Sequence, residues 1–329
     1  MFYKKQDRRY IQKFIVMTTF GKNLFYALSI VIITALFVPF IRANSEYLKR
    51  ISEITPGMLM ALIGLSLVSR LLAGLKIKTV TEVFGVKLNF KEWYGTASIT
   101  NFYNYFISKS GTALAGAYLK KNHGFNYSKY VSLIMGDIMV IFIASGLMGF
   151  TAYIYGLYLR MFENWLMAVF FLCLALITIS MVFIPKVKFP DKSIFIRVNK
   201  VIEGWNELRH NRPLMIKIFL LNIGLMAASA TRYYLLFGLF ADTVPLFICL
   251  LIAPLNFMAQ IVSFIPAAYG IRESITGLVT KLADFGFVPG AMVSLVDRVI
   301  MMSVAFVQGP IFSFLFIKRS GIKPDGESL

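Results

Sequence analysis

The sequence predicts an all-α polytopic membrane protein with seven to eight transmembrane helices and two re-entrant or broken helices in two pseudo-repeats. Three observations predict it. Apolar residues make up 58% of the 329 residues and charged ones only 15%, where a soluble domain carries roughly 25% charged residues. The apolar residues fall into runs of spanning length, about 20 residues each. Two of those runs are interrupted by helix-ending residues, around Gly111 and at Pro266 and Gly270. Broken backbone at membrane depth survives only where protein or a water-filled cavity satisfies its freed polar groups.

The net charge of +18 belongs to the loops. Lys and Arg crowd the segments between apolar runs, as cytoplasmic loops facing anionic headgroups require. A nucleic-acid partner is therefore not implied. Cys173 and Cys249 both lie inside apolar runs and read as small buried hydrophobes. His123 and His210 stand in basic loops without metal-ligand spacing, so no metal and no cofactor is expected. The basic start runs to Lys22 and is followed by a run of spanning length, not by a cleavable signal.

Taken in order, residues 1–22 form a basic interfacial segment and residues 23–185 a first membrane half. That half opens with a span at 23–41 and a polar loop at 42–55. A second span covers 56–75, with Pro56 at a favoured first helical position. Arg70 sits in its last turns, within snorkelling reach of the interface. The loop 76–94 carries Lys76, Lys78, Lys87 and Lys91 and reads as cytoplasmic. The stretch 95–119 is apolar but holds Asn101, Asn104, Ser108, Lys109, Ser110 and Gly111. It reads as two half-helices meeting near residues 109–111. Spans at 130–155, with Asp137 inside, and 165–184 complete the half.

Residues 186–213 form a basic linker. Its apolar residues, from Ile194 to Leu208, fall at helical spacing, so it reads as an amphipathic helix on the cytoplasmic leaflet. Residues 214–317 form the second half. It has a span at 214–240 with Arg232 deep inside, a span at 244–265, a broken element at 266–285 and a last span at 291–317. Residues 318–329 are a polar tail. With the linker inside, seven crossings put that tail outside, against the sign of Lys318, Arg319 and Lys323; eight crossings put it inside.

An offset of 162 residues recurs. Gly124-Phe125 matches Gly286-Phe287, Val131-Ser132-Leu133 matches Val293-Ser294-Leu295, and Ser69-Arg70 matches Thr231-Arg232. Two related halves with a site at their broken helices are a common build for membrane transport proteins. The pairing with Arg232 argues against a snorkelling Arg70.

Ionisable residues in a membrane are costly and mark working sites. Arg70, Lys109, Arg232, Arg272 and Arg298 are the bases expected at depth, and Asp137, Glu273 and Asp297 the acids. The basic excess suits a phosphate-bearing headgroup. A competing reading has Arg272, Glu273, Asp297 and Arg298 pairing across helices only to hold the fold.

The run Pro266-Ala-Ala-Tyr-Gly270-Ile-Arg272-Glu273, then Gly286-Phe-Val-Pro289, then Asp297-Arg298 resembles the C-terminal signature of the lysylphosphatidylglycerol synthase transmembrane-region family, whose members are also described as flippase-like. Asn104 to Gly111 and Ala117-Tyr118-Leu119-Lys120-Lys121 resemble its first-half pattern. Ser108 stands where the family tends to have Pro, Gly116 where Arg is common, and Gly136-Asp137 where an acidic-Arg pair is usual.

The resemblance implies a multi-pass protein of a prokaryotic plasma membrane, with an anionic phospholipid or lipid-linked precursor as its partner, bound and flipped. The soluble aminoacyl-transfer domain of the lipid-aminoacylating relatives is not expected in this sequence. The alternative is a membrane-embedded enzyme, or an accessory subunit of a separate lipid- or glycan-modifying enzyme.

Overall fold

The computed structural model describes residues 39, 42–125, 127–163, 165–183, 199, 202, 206, 209–240 and 244–319. The expected first span and most of the amphipathic linker lie outside the described residues. The chain divides into residues 1–49 and 50–329, and the larger unit carries the helices from Pro56 onward.

Ten α-helices and no strand occur among the described residues. They are α1 (Ser45–Ile51), α2 (Pro56–Val83), α3 (Phe90–Asn104), α4 (Ser110–His123), α5 (Tyr127–Tyr158), α6 (Leu166–Phe183), α7 (Arg212–Phe240), α8 (Leu246–Val262), α9 (Ile271–Leu282) and α10 (Phe287–Arg319). Four segments are long and apolar enough to cross a membrane: Pro56–Val83, Lys129–Tyr158, Arg212–Phe240 and Phe287–Phe316. Leu166–Ser180 and Leu246–Val262 are shorter apolar helices.

Local sequence sets the ends of these helices. Thr55 caps α2 by accepting from the Met58 N–H, with Pro56 following it. The helix runs past the expected end at residue 75, because nothing breaks it before Gly85, whose φ of 81° closes it. Lys76 and Lys78 therefore belong to α2 and not to a loop. Asn89 and Glu92 form a capping box at α3.

The expected span at 244–265 is instead a 17-residue helix, α8, about 25 Å long at the α-helical rise. At its end Ser263 Oγ accepts from the Ile265 N–H, and a 3-10 turn, Pro266–Ala268, follows. Both interruptions are real breaks. Residues 105–109 separate α3 from α4, with Lys109 left-handed at φ 61°. Gly111 lies one residue into α4 and is not itself the break. A Cβ there would come 2.0 Å from the Thr100 carbonyl oxygen, so glycine is what lets α4 start against α3.

The packing fixes relative directions. Ser69 meets Arg232 while Lys76 meets Asn222, so α2 and α7 are antiparallel. Gly74 packs on Trp93 and Arg70 reaches Ala97, so α3 runs back along α2. Gly95 packs on Phe312 and Phe316, and Gly309 on Phe102, so α10 is antiparallel to α3. Phe247, at the start of α8, packs on Tyr155 and Gly156 at the end of α5. Gly146 against Ala175 and Gly149 against Phe171 make α5 and α6 an antiparallel pair, and Gly277 against Phe287 with Arg272 against Asp297 does the same for α9 and α10.

Candidate functional site

Four guanidiniums are buried where α2, α7, α9 and α10 meet: Arg70, Arg232, Arg272 and Arg298. Two carboxylates face them, Asp297 and Glu273. Arg232 Nε donates to Asp297 Oδ1 at 2.6 Å, and Arg272 Nη2 reaches Asp297 Oδ2 at 3.2 Å. Arg298 Nη2 lies 2.8 Å from Glu273 Oε1. One aspartate thus serves two arginines, and Arg70 has no acid among the described residues. Four cations against two anions leave an excess of two buried positive charges. Insertion scales put each central arginine at about 2.5–3.5 kcal/mol, so the excess calls for a counter-charge.

The expected pairing of Arg272, Glu273, Asp297 and Arg298 across helices is therefore present, but it does not use up the positive charge. Arg70 is only 6% exposed, so it does not snorkel. It donates to the Ala97 carbonyl at 3.4 Å, and its Nε has no hydrogen-bond partner among the described residues.

Second contacts hold these groups in place. Tyr233 Oη accepts from Arg272 Nη2 at 2.7 Å and from Asn256 Nδ2 at 3.0 Å. Ser69 Oγ accepts from Arg232 Nη1 at 2.9 Å. The Arg298 guanidinium lies 4.4 Å from the Tyr269 ring centroid and donates to the Ala268 carbonyl. That carbonyl sits in a strained turn, with Ala267 and Ala268 at φ 49° and 51°. Left-handed alanine costs roughly 1–2 kcal/mol per residue, so the turn persists because its surroundings hold it. Glu273 Oε2 also accepts from the Gly270 N–H at 2.9 Å, starting α9 beside the turn.

Two cavities flank α3. One, about 110 Å³, lies between the breaks and is lined by Asn101, Asn104, Tyr105, Ser108, Lys109, Gln260, Ile265 and Ala267. Tyr105 stands within electrostatic range of Arg70, Arg272, Arg298 and Asp297, so this cleft borders the charged cluster. Lys109 stays on the cleft wall, 5.7 Å from the Phe264 ring, and does not join the buried arginines. The second cavity, about 260 Å³, runs from Arg70 past Lys76 and Ile77 to Val80.

Asp137 lines that second cavity but does not pair with Arg70. Lys76 Nζ holds it at 2.8 Å and Asn222 Nδ2 donates to it at 3.2 Å. Lys76, Asn222, Ser69, Tyr105 and Tyr233 were not among the sequence candidates. Lys76 was hidden by the misplaced end of α2. The others are ordinary polar residues that an apolar helix carries without any anomaly. Among the described residues no group of three or more His, Cys, Asp or Glu side chains is placed to hold a metal ion.

Long apolar helices, interrupted short ones and a buried charged cluster between them define an integral membrane protein. The chain belongs to the family described as the lysylphosphatidylglycerol synthase TM region, whose family model matches residues 26–309. What matches is that membrane region. A comparison with curated proteins returned no match.

Proposed function

We propose that this protein binds a lipid or lipid-linked precursor with an anionic headgroup between its interrupted helices and moves it across the bilayer. The observation that carries this reading is the buried excess of guanidinium over carboxylate beside a cleft lined by both breaks. A phosphate offers the missing charge, and guanidinium forks suit its oxygens.

Internal symmetry supports a transport role. The helices α2 to α5 have 28, 15, 14 and 32 residues, and α7 to α10 have 29, 17, 12 and 33. Corresponding helices start 156 to 161 positions apart, by subtraction of their first residues. Matching helix to helix in this way sets Lys76 opposite Arg232 and Asp137 opposite Asp297. Each half then has one ion pair joining its first long helix to its last, Lys76 to Asp137 and Arg232 to Asp297. The base of each pair also donates across the α2–α7 contact, Lys76 to Asn222 Oδ1 and Arg232 to Ser69 Oγ.

The equivalent helices α2 and α7 run in opposite directions, so the halves are inverted. With α3–α4 and α8–α9 as hairpins entering from opposite faces, α2, α5, α6, α7 and α10 are the crossings among the described residues. The loop with Lys87, the end of α4 with Lys120 and Lys121, the basic linker and the tail with Lys318 then share one face. That face is the cytoplasmic one by the positive-inside rule, and the family resemblance points to a prokaryotic plasma membrane.

The test is transbilayer movement of fluorescent phosphatidylglycerol by the purified protein in liposomes, against a neutral diacylglycerol analogue. Movement of the anionic lipid that Arg272→Ala and Arg232→Ala abolish supports flipping. Chemical conversion of the lipid favours the enzyme reading, and binding without movement the accessory one.

A further inference from the structure

The second-half arginines all have carboxylates; Arg70 does not. On the helix register above, the acid of the first half is Asp137, and Lys76 already holds it at 2.8 Å. Arg70 is buried, and its Nε is without a partner among the described residues. Across the same cavity, Asn101 Nδ2 is also covered and without a partner, while the nearby Asn104 amide oxygen is spent on the Gly111 N–H at 2.9 Å. Arg70 and Asn101 both line one space of about 260 Å³, and each carries a covered donor without an acceptor among the described residues. Leaving such donors unmet inside a protein is costly. An apolar or cationic guest would leave them unmet. An oxyanion answers both, and a phosphate ester fits the volume.

From this we infer that the cavity between α2, α3, α4 and α5 is a phosphate-ester subsite. Arg70 supplies the charge and Asn101 the second donor, on the side of the membrane where α2 ends at Val83. The inference rests on the anionic-lipid reading above and adds where the phosphate first lodges. It also divides the labour among the arginines. Arg232, Arg272 and Arg298 are held by acids and shape the far side of the site, while Arg70 takes the incoming phosphate.

The full chain, purified in a non-phospholipid detergent, is titrated with dioctanoyl phosphatidylglycerol, dioctanoylglycerol and glycerol 3-phosphate. Wild type is expected to bind the phospholipid above dioctanoylglycerol, and Arg70→Gln to weaken that binding about tenfold or more. Asn101→Asp places a carboxylate among the donors and is expected to act in the same direction, at unchanged Tm. This second variant covers the case in which Arg70→Gln does not fold. Exposed Arg160 gives the control, Arg160→Gln, which is expected to bind as wild type. Wild-type preference for the phospholipid that both variants retain would overturn this subsite and leave the functional reading standing. No preference of wild type for phospholipid over dioctanoylglycerol would overturn both. Glycerol 3-phosphate binding as tightly as the lipid, and depending on Arg70, would overturn a lipid occupant in favour of a soluble phosphate ester.

Discussion

Arg232 donates through Nη1 to Ser69 Oγ at 2.9 Å, which ties α7 to α2 at the centre of the charged cluster. Its Nε meanwhile holds Asp297 on α10. One side chain therefore joins three long helices. Hydrogen bonds to charged groups contribute about 1.5–3 kcal/mol. Ser69→Ala is expected to lower stability by roughly that amount, read as a drop in the thermal midpoint of the detergent-solubilised protein. Ser180→Ala is the comparison: Ser180 Oγ donates only to its own helix, at the Ile177 carbonyl. If the two variants melt together, Ser69 does not hold Arg232.

Asp297 is fully buried and shared by Arg232 and Arg272. Removing one partner of a buried pair leaves the other charge uncompensated, at about 3–5 kcal/mol. Asp297→Asn is expected to reach that range. Asp137→Asn breaks the corresponding pair in the first half, but Lys76 and Asp137 keep 15% and 20% of their side-chain surface exposed. A released lysine can reach solvent there, so a smaller loss of about 1 kcal/mol is expected. Equal losses in chemical denaturation would contradict this difference in environment.

The close approach of α9 and α10 depends on Gly290. A Cβ there would lie 2.1 Å from Thr280 Oγ1 and 2.8 Å from the Thr276 carbonyl. Gly290→Ala forces the helices apart, with overpacking costs of typically 1–3 kcal/mol. Because α9 carries Arg272 and Glu273, lipid binding should fall with stability. Gly64 in α2 meets nothing within 4 Å, and Gly64→Ala is expected to be neutral or to stabilise by up to about 1 kcal/mol. Comparing the two melts checks whether packing or propensity governs.

The charged part of the site was legible because charges are conspicuous in apolar sequence. Arg232, Arg272, Glu273, Asp297 and Arg298 each interrupt an apolar run, and Pro266 and Gly270 mark the second break. What could not be read is how those charges divide. Whether Asp137 serves Arg70 or Lys76 depends on α2 continuing to Val83, and the signal for that was Gly85, not the first lysine after the apolar run. Likewise α8 has the composition of a span. Only the turn at Ser263 and the packing of α9 against α10 show that it stops after 17 residues. Tyr233 escaped notice because a tyrosine in a helix is unremarkable until an arginine lands on it.

The inverted arrangement predicts the side of the tail, which the sequence left open. If α8 and α9 form a hairpin, the tail returns to the face of the basic linker. Single cysteines replace Ser193 in the linker, Ser320 in the tail and Glu163 between α5 and α6. The background lacks the native thiols, of which Cys173 is exposed and Cys249 buried. A membrane-impermeant maleimide applied to sealed vesicles of one orientation is expected to label positions 193 and 320 together, and position 163 only from the opposite side. Lysines on the linker and tail face anionic headgroups in that arrangement, each contributing about 1 kcal/mol near the surface. Labelling of position 320 together with 163 would mean that the α8–α9 segment crosses the bilayer, and the inverted pairing of the two halves would fall with it.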